Sequence, residues 1–155
     1  MGRLEPGMKA PAFTLLNQSE KKVSLTDYAG QRIVVYFYPA DDTPGCTKEA
    51  CQFSDQLSQF KALHVNVIGI SPDGAAEHVA FRSKFSLTFD LLSDPDKKVM
   101  TKYGAFGEKM NYGKTYMGIE RTTFVIDKEG KIAKIYPRVK VDQHAQKVLE
   151  FVRTL

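Results

Sequence analysis

The chain is 155 residues long, room for one ordinary domain and too little for two. Hydrophobic residues make up 43% and charged residues 26%, with 10 Phe and 7 Tyr for a core, which excludes a disordered chain. Twenty-two Lys and Arg against 18 Asp and Glu leave +4 spread along the chain, without the basic block that a nucleic-acid footprint requires. The longest apolar run, Ile33 to Tyr38, falls far short of a membrane span. The opening Met-Gly-Arg-Leu-Glu-Pro-Gly has none of the apolar character of a secretory leader, so a cytoplasmic location is expected. Two cysteines make no disulfide scaffold. With the scattered His64, His78 and His144, expected on the surface or in loops, they are also a poor metal set, and no metal or cofactor is expected.

In chain order, Phe13 to Leu16 and Lys22 to Leu25 flank Asn17-Gln18-Ser19-Glu20 and read as a hairpin. Ile33-Val34-Val35-Tyr36-Phe37-Tyr38 has no polar alternation, the mark of a strand buried on both faces, and Pro39 ends it. A helix pattern runs from about Thr43 to Leu63, and a second buried strand covers Val65 to Ile70. A helix follows over 74–85 with Asp73 as its cap, then a short strand at Phe89 to Leu92. Asp94-Pro95 opens a small helix that Gly104 closes. Thr122 to Ile126 and Lys131 to Tyr136 flank the turn Asp127-Lys128-Glu129-Gly130 and should pair. Asp142 can cap a last helix that aligns Ala145, Val148, Leu149 and Val152. An N-terminal hairpin followed by β-α-β-α-β-α-β-β-α gives one α/β domain over 1–155. Its mixed central sheet is flanked by helices, compatible with a thioredoxin-like architecture.

Both cysteines lie in Pro39-Ala40-Asp41-Asp42-Thr43-Pro44-Gly45-Cys46-Thr47-Lys48-Glu49-Ala50-Cys51, which joins a buried strand to a helix. Thr43 followed by Pro44 reads as N-cap then first helical residue, with the hydroxyl free to accept from an orphan amide. Cys46 then sits in the first turn, where unpaired N–H groups and the helix dipole favour a thiolate. Asp41 and Asp42 would oppose this if they faced the sulfur. Cys46, Ala50, Phe53, Leu57 and Phe60 share one stripe. Cys51 lies about 140° away on the polar side, among Thr47, Lys48, Ser54, Asp55 and Ser58. On an intact helix the two Cα atoms are about 8 Å or more apart, too far for a bridge. A disulfide between them would require the first turns to unwind, which Pro44 and Gly45 make easier, giving an element that is helical when reduced and locally unfolded when oxidised. Taken singly, Cys46 reads equally as inert packing, and Thr-Pro-Gly as ordinary capping.

The pattern Pro39, Thr43, Cys46 after a hydrophobic strand resembles the Pro-x-x-x-Thr-x-x-Cys signature of the peroxiredoxins. The stretch from Val35 to Thr47 is similar to the bacterioferritin-comigratory-protein, or peroxiredoxin Q, branch. Further matches are Gly69-Ile70-Ser71, Leu92-Ser93-Asp94 and Gly118 to Asp127. The resemblance implies that Cys46 is the peroxidatic cysteine and that Thr43 hydrogen-bonds thiolate and peroxide. It implies that Pro39 shields the pocket from water and that Arg121 stabilises the thiolate and the charge growing on the oxygens. Without it, Arg121 would read as a surface ion-pair partner.

The resemblance also implies a hydroperoxide substrate, a resolving thiol, and thioredoxin, or a glutaredoxin, as reductant. Cys51 is then the thiol available within the chain, giving an intramolecular Cys46–Cys51 bridge in a monomer or weak dimer. The Gly-Gly-Leu-Gly loop and Tyr-Phe extension of hyperoxidation-sensitive relatives are missing, so resistance to overoxidation is expected. Phe81, Phe106 and Tyr112 are candidates for the peroxide entrance. Two other readings stand beside this one: a thiol–disulfide oxidoreductase, which normally has a Cys-x-x-Cys pair, and a non-catalytic binding or holdase module.

Overall fold

A computed structural model describes residues 4–155. Its centre is a seven-stranded mixed sheet in the order β2-β1-β5-β4-β3-β8-β9. The strands are β1 (Thr14–Asn17), β2 (Lys22–Ser24), β3 (Arg32–Phe37), β4 (Val65–Ser71), β5 (Asp90–Ser93), β8 (Thr122–Ile126) and β9 (Ile132–Tyr136). β6 (Phe106–Asn111) and β7 (Lys114–Ile119) form a separate two-stranded arm. The helices are α1 (Pro44–Ala62), α2 (Ala75–Phe85), α3 (Lys98–Lys102) and α4 (His144–Val152). β3, β4 and β5 run parallel, while β8 pairs antiparallel with β3. Mixed α/β layering of the thioredoxin type is therefore what the interleaved strands and helices build. Among the described residues, no helix is long and apolar enough to cross a membrane.

Alternation along β3 supplies both cores. Val34, Tyr36 and Tyr38 face a cluster closed by Phe53 and Phe60 of α1, Phe81 of α2 and Val148 of α4. Ile33, Val35 and Phe37 face a second cluster with Val99 and Met100 of α3, Tyr103 and Phe124. A strand covered on both sides must be apolar at every position, which is why it shows no alternation in the sequence. The stripe Cys46, Ala50, Phe53, Leu57 and Phe60 is the buried face of α1.

Several local expectations are corrected. The cap of α2 is Gly74, because the Asp73 carboxylate is turned to the Asp41 amide and the Ser71 hydroxyl. Gln143 precedes α4 in a left-handed conformation, and Asp142 instead pairs with Lys48. His78 and His144 are buried, 0% and 3% exposed, and only His64 is at the surface. The β6–β7 arm went unrecognised. Its turn residues Tyr112 and Gly113 both have positive φ, the geometry of a two-residue hairpin loop.

Candidate active site

The register of the sheet brings distant residues to the start of α1. Phe37 pairs with Thr122, so Arg121 lies one step beyond, beside the loop that leaves β3. On the other flank, Tyr38 N–H donates to Ile70 O, placing the end of β4 and the start of α2 against the same loop. The Pro39–Gly45 segment is thus held between β8 and α2.

Cys46 is 1% exposed in the first turn of α1, and Arg121 Nη2 lies 3.3 Å from its Sγ. Arg121 Nη1 donates at 2.8 Å to Glu49 Oε1. One planar fork therefore spans sulfur and carboxylate, a geometry that arginine can adopt and lysine cannot. Gly45 makes room for it: a Cβ there would stand 3.1 Å from Arg121 Nη2. That close approach, and not the turn, is what favours glycine at this position, since a Cβ would crowd the guanidinium.

Glu49 was not singled out in the sequence, although it follows Cys46 by three residues on a helix and so must share its side. It is 0% exposed. Burial pushes its carboxyl up to about 7, against the opposing pull of Arg121. Glu49 and Cys46 together favour the charged form of Arg121 over the cost of burying it. The guanidinium thus stays cationic, and Glu49 is the half of the pair that takes a proton first as pH falls. Glu49 Oε2 has no hydrogen-bond partner among the described residues; His144 Nε2 lies 3.9 Å away and shares a 2.8 Å hydrogen bond with Thr123 Oγ1. Burial, with Lys147 and Arg121 nearby, pulls the His144 imidazole down to about 4.

The remaining site residues fall as follows. Pro39 and Arg121 line one cleft of about 670 Å³, walled by Lys109, Met110 and Ile119 of the β6–β7 arm. Phe81 is instead buried in the core, Phe106 packs inward, and Tyr112 stands 97% exposed at the arm's tip, so none of the three borders this opening. Thr43 is the N-cap residue, but its hydroxyl caps no amide and donates to Ala40 O at 3.0 Å. Asp41 bonds Tyr38 and His78, and Asp42 pairs with Lys84, so both carboxylates are engaged away from the sulfur. Cys51 is partly exposed on the intact helix, and both thiols are free. Burial and the nearby Asp55 push the Cys51 thiol up, which makes it a poor nucleophile while the helix holds.

A helix N-terminus, a guanidinium fork and a buried sulfur below a polar cleft suit attack on an electrophilic oxygen. Residues 6–135 match the model of the AhpC/TSA family. The chain belongs to the AhpC/TSA family. Within it, the chain falls in the Bcp, or peroxiredoxin Q, branch. It is 44% identical to peroxiredoxin Bcp of Bacillus subtilis over 152 residues, 98% of this chain and 97% of that one. It is 53% identical over 146 residues to a Mycobacterium tuberculosis chain named as a peroxiredoxin, covering 94% of this chain and 93% of the relative. The fold superimposes on the bacterioferritin comigratory protein of Xanthomonas campestris with a TM-score of 0.91 at 33% identity, covering 97% and 98% of the two chains. As a member of this peroxiredoxin branch, the protein is a thiol peroxidase.

Proposed function

We propose that this peroxiredoxin reduces hydrogen peroxide and organic hydroperoxides through Cys46, with Cys51 as the resolving thiol and thioredoxin as the reductant. The observation that carries the assignment is the Arg121 fork, 3.3 Å from Cys46 Sγ and 2.8 Å from Glu49. The Cys46 thiolate attacks the outer peroxide oxygen; the S–O bond forms, the O–O bond breaks, and the departing alkoxide or hydroxide takes a proton to leave as alcohol or water. Arg121 stabilises the starting thiolate and then the charge that shifts to the leaving oxygen. Pro39 borders the entry route, and the Thr43 hydroxyl, released from Ala40 O, is within the same turn to donate to the bound peroxide.

The resulting sulfenic acid cannot meet Cys51 across an intact α1. Residues 43–52 unwind, Cys51 leaves the environment that suppresses its nucleophilicity, and its sulfur displaces water from Cys46 to form the disulfide. A dithiol reductant then exchanges with that bridge, becoming a disulfide itself while both protein thiols are restored. The cycle closes within one chain, consistent with a monomer or weak dimer. The reducing cytoplasm, where thioredoxin is kept as a dithiol, is the compartment that suits it.

The test is steady-state turnover of hydrogen peroxide and an alkyl hydroperoxide with thioredoxin, thioredoxin reductase and NADPH. Wild type should turn over, Cys46→Ser should be inactive, and Cys51→Ser should react once and stop. Undiminished turnover by Cys46→Ser would exclude the assignment.

A further inference from the structure

The Pro39–Thr43 loop makes no regular ladder, yet it must hold Cys46 against Arg121. On its other flank it is tied to α2 by a buried polar chain that the peroxidase chemistry above does not use. His78 is 0% exposed, with Nδ1 2.6 Å from Asp41 Oδ2 and Nε2 3.1 Å from the Leu92 carbonyl. The Tyr38 hydroxyl donates to Asp41 Oδ1 at 2.5 Å. Burial pushes the Tyr38 phenol well above its ordinary value, so it remains a donor there. The Asp41 amide donates to Asp73 Oδ2 at 2.8 Å, and the Ser71 hydroxyl donates to the same oxygen at 2.7 Å.

A carbonyl can only accept, so His78 Nε2 carries a hydrogen, and Nδ1 and the Asp41 carboxylate share a further proton. Both ring nitrogens and both carboxylate oxygens are thereby satisfied. The exposed Asp42–Lys84 pair beside them contributes little by comparison. A buried, fully partnered pair is costly to break from one side but loses its constraint once both groups reach water. That behaviour belongs to a two-state element, with the pair made when the loop is closed and solvated when it opens.

We propose that His78 is a positioning residue: acting through Asp41, it latches the Pro39–Thr43 loop in the peroxide-reactive form, and release of this latch gates closure of the Cys46–Cys51 bridge. The inference rests on the reading of Cys46 and Cys51 given above. Removing the latch has opposite effects on the two half-reactions. Peroxide attack needs the closed loop and slows; disulfide closure needs the open loop and quickens.

Quenched-flow intact mass follows both rates in the full-length protein, as loss of the Cys46 thiol and as conversion of sulfenic acid to disulfide. His78→Phe, which keeps a ring and loses both polar contacts, should slow the first and speed the second by about tenfold each. Sulfinic acid formed at a fixed peroxide excess should fall accordingly. His78→Asn, whose amide can still donate to Asp41, should recover part of both shifts. Asp41→Asn, which neutralises the pair but leaves its hydrogen bonds feasible, should shift the rates in the same opposed sense by a smaller factor. Val99→Ala lowers stability from the opposite face of the sheet and should change neither rate. Rates that stay unchanged or fall together in His78→Phe, or a Val99→Ala that closes as fast as His78→Phe, overturn the latch while the peroxidase assignment stands. A wild-type protein that consumes peroxide without forming the bridge overturns the latch together with the resolving role of Cys51.

Discussion

Replacing Arg121 with lysine keeps the charge and removes the fork. In the native site one nitrogen serves Cys46 Sγ at 3.3 Å and the other serves Glu49 at 2.8 Å, with the Arg121 side chain 17% exposed and Glu49 fully buried. A lysine ammonium is a single point charge, and the buried carboxylate is its stronger partner. At an effective dielectric of about 20, unit charges 3.3 Å apart attract by about 5 kcal/mol. If the ammonium settles on Glu49, at about 5–6 Å from the sulfur, that attraction drops to about 3 kcal/mol. The difference of about 2 kcal/mol corresponds to a rate loss of about 10- to 100-fold, because the departing oxygen inherits the charge that Arg121 was stabilising. The assay is the second-order rate constant for hydrogen peroxide, measured by competition with a haem peroxidase, since the chain has no tryptophan to report on the reaction. Thermal unfolding should confirm that the variant folds. A rate within about twofold of wild type would refute the account of the fork.

Gly45→Ala should slow peroxide reduction with little loss of stability, because a Cβ at 3.1 Å displaces the guanidinium from Cys46 without disturbing the core; an unchanged rate constant would contradict this. Glu49 and His144 should have opposed pH effects on stability. Glu49, raised from 4.5 to about 7, contributes stability that is present below pH 4.5 and lost as pH rises through 7; His144, lowered from 6.5 to about 4, contributes stability that is present above 6.5 and lost as pH falls through 4. Each amounts to about 3 kcal/mol, so they largely cancel in wild type, whereas Glu49→Gln should show stability rising with pH between 4 and 6.5 in urea titrations. A flat profile in that variant would show the cancellation to be false. Amide hydrogen exchange over residues 43–52 should be faster in the oxidised protein than in the reduced one, and equal protection would exclude unwinding as the route to the bridge.

How much of this was legible in the sequence depended on what fixed each feature. The α1 stripe and the bare apolar run of β3 are periodicities set by burial, and they map directly onto the two cores. The Arg121 position was legible only through a family pattern. No local rule says that a residue preceding β8 will meet a cysteine 75 positions earlier; the antiparallel register with β3 does that. Glu49 was hidden because a glutamate on an amphipathic helix is ordinarily solvated, and its three-residue spacing from Cys46 was the available clue. His78 and His144 were misplaced for a similar reason, since their burial is made tolerable by partners far away in the chain, Asp41 with Leu92 and Thr123. The β6–β7 arm lies mostly exposed, with Met110, Tyr112, Tyr116 and Met117 open to solvent, so burial imposed no alternation on it. The misassigned caps at Asp73 and Asp142 share one cause: each carboxylate is engaged elsewhere, Asp73 by the Asp41 amide and the Ser71 hydroxyl and Asp142 by Lys48.

The central claim, that Cys46 is the nucleophile and Cys51 its resolving partner, is tested most directly by intact mass after one equivalent of hydrogen peroxide. Wild type should lose two hydrogens, Cys51→Ser should gain a single oxygen on Cys46, and Cys46→Ser should be unchanged. An oxygen adduct on Cys46→Ser, or a wild-type protein with both thiols intact after the peroxide is consumed, would contradict the account.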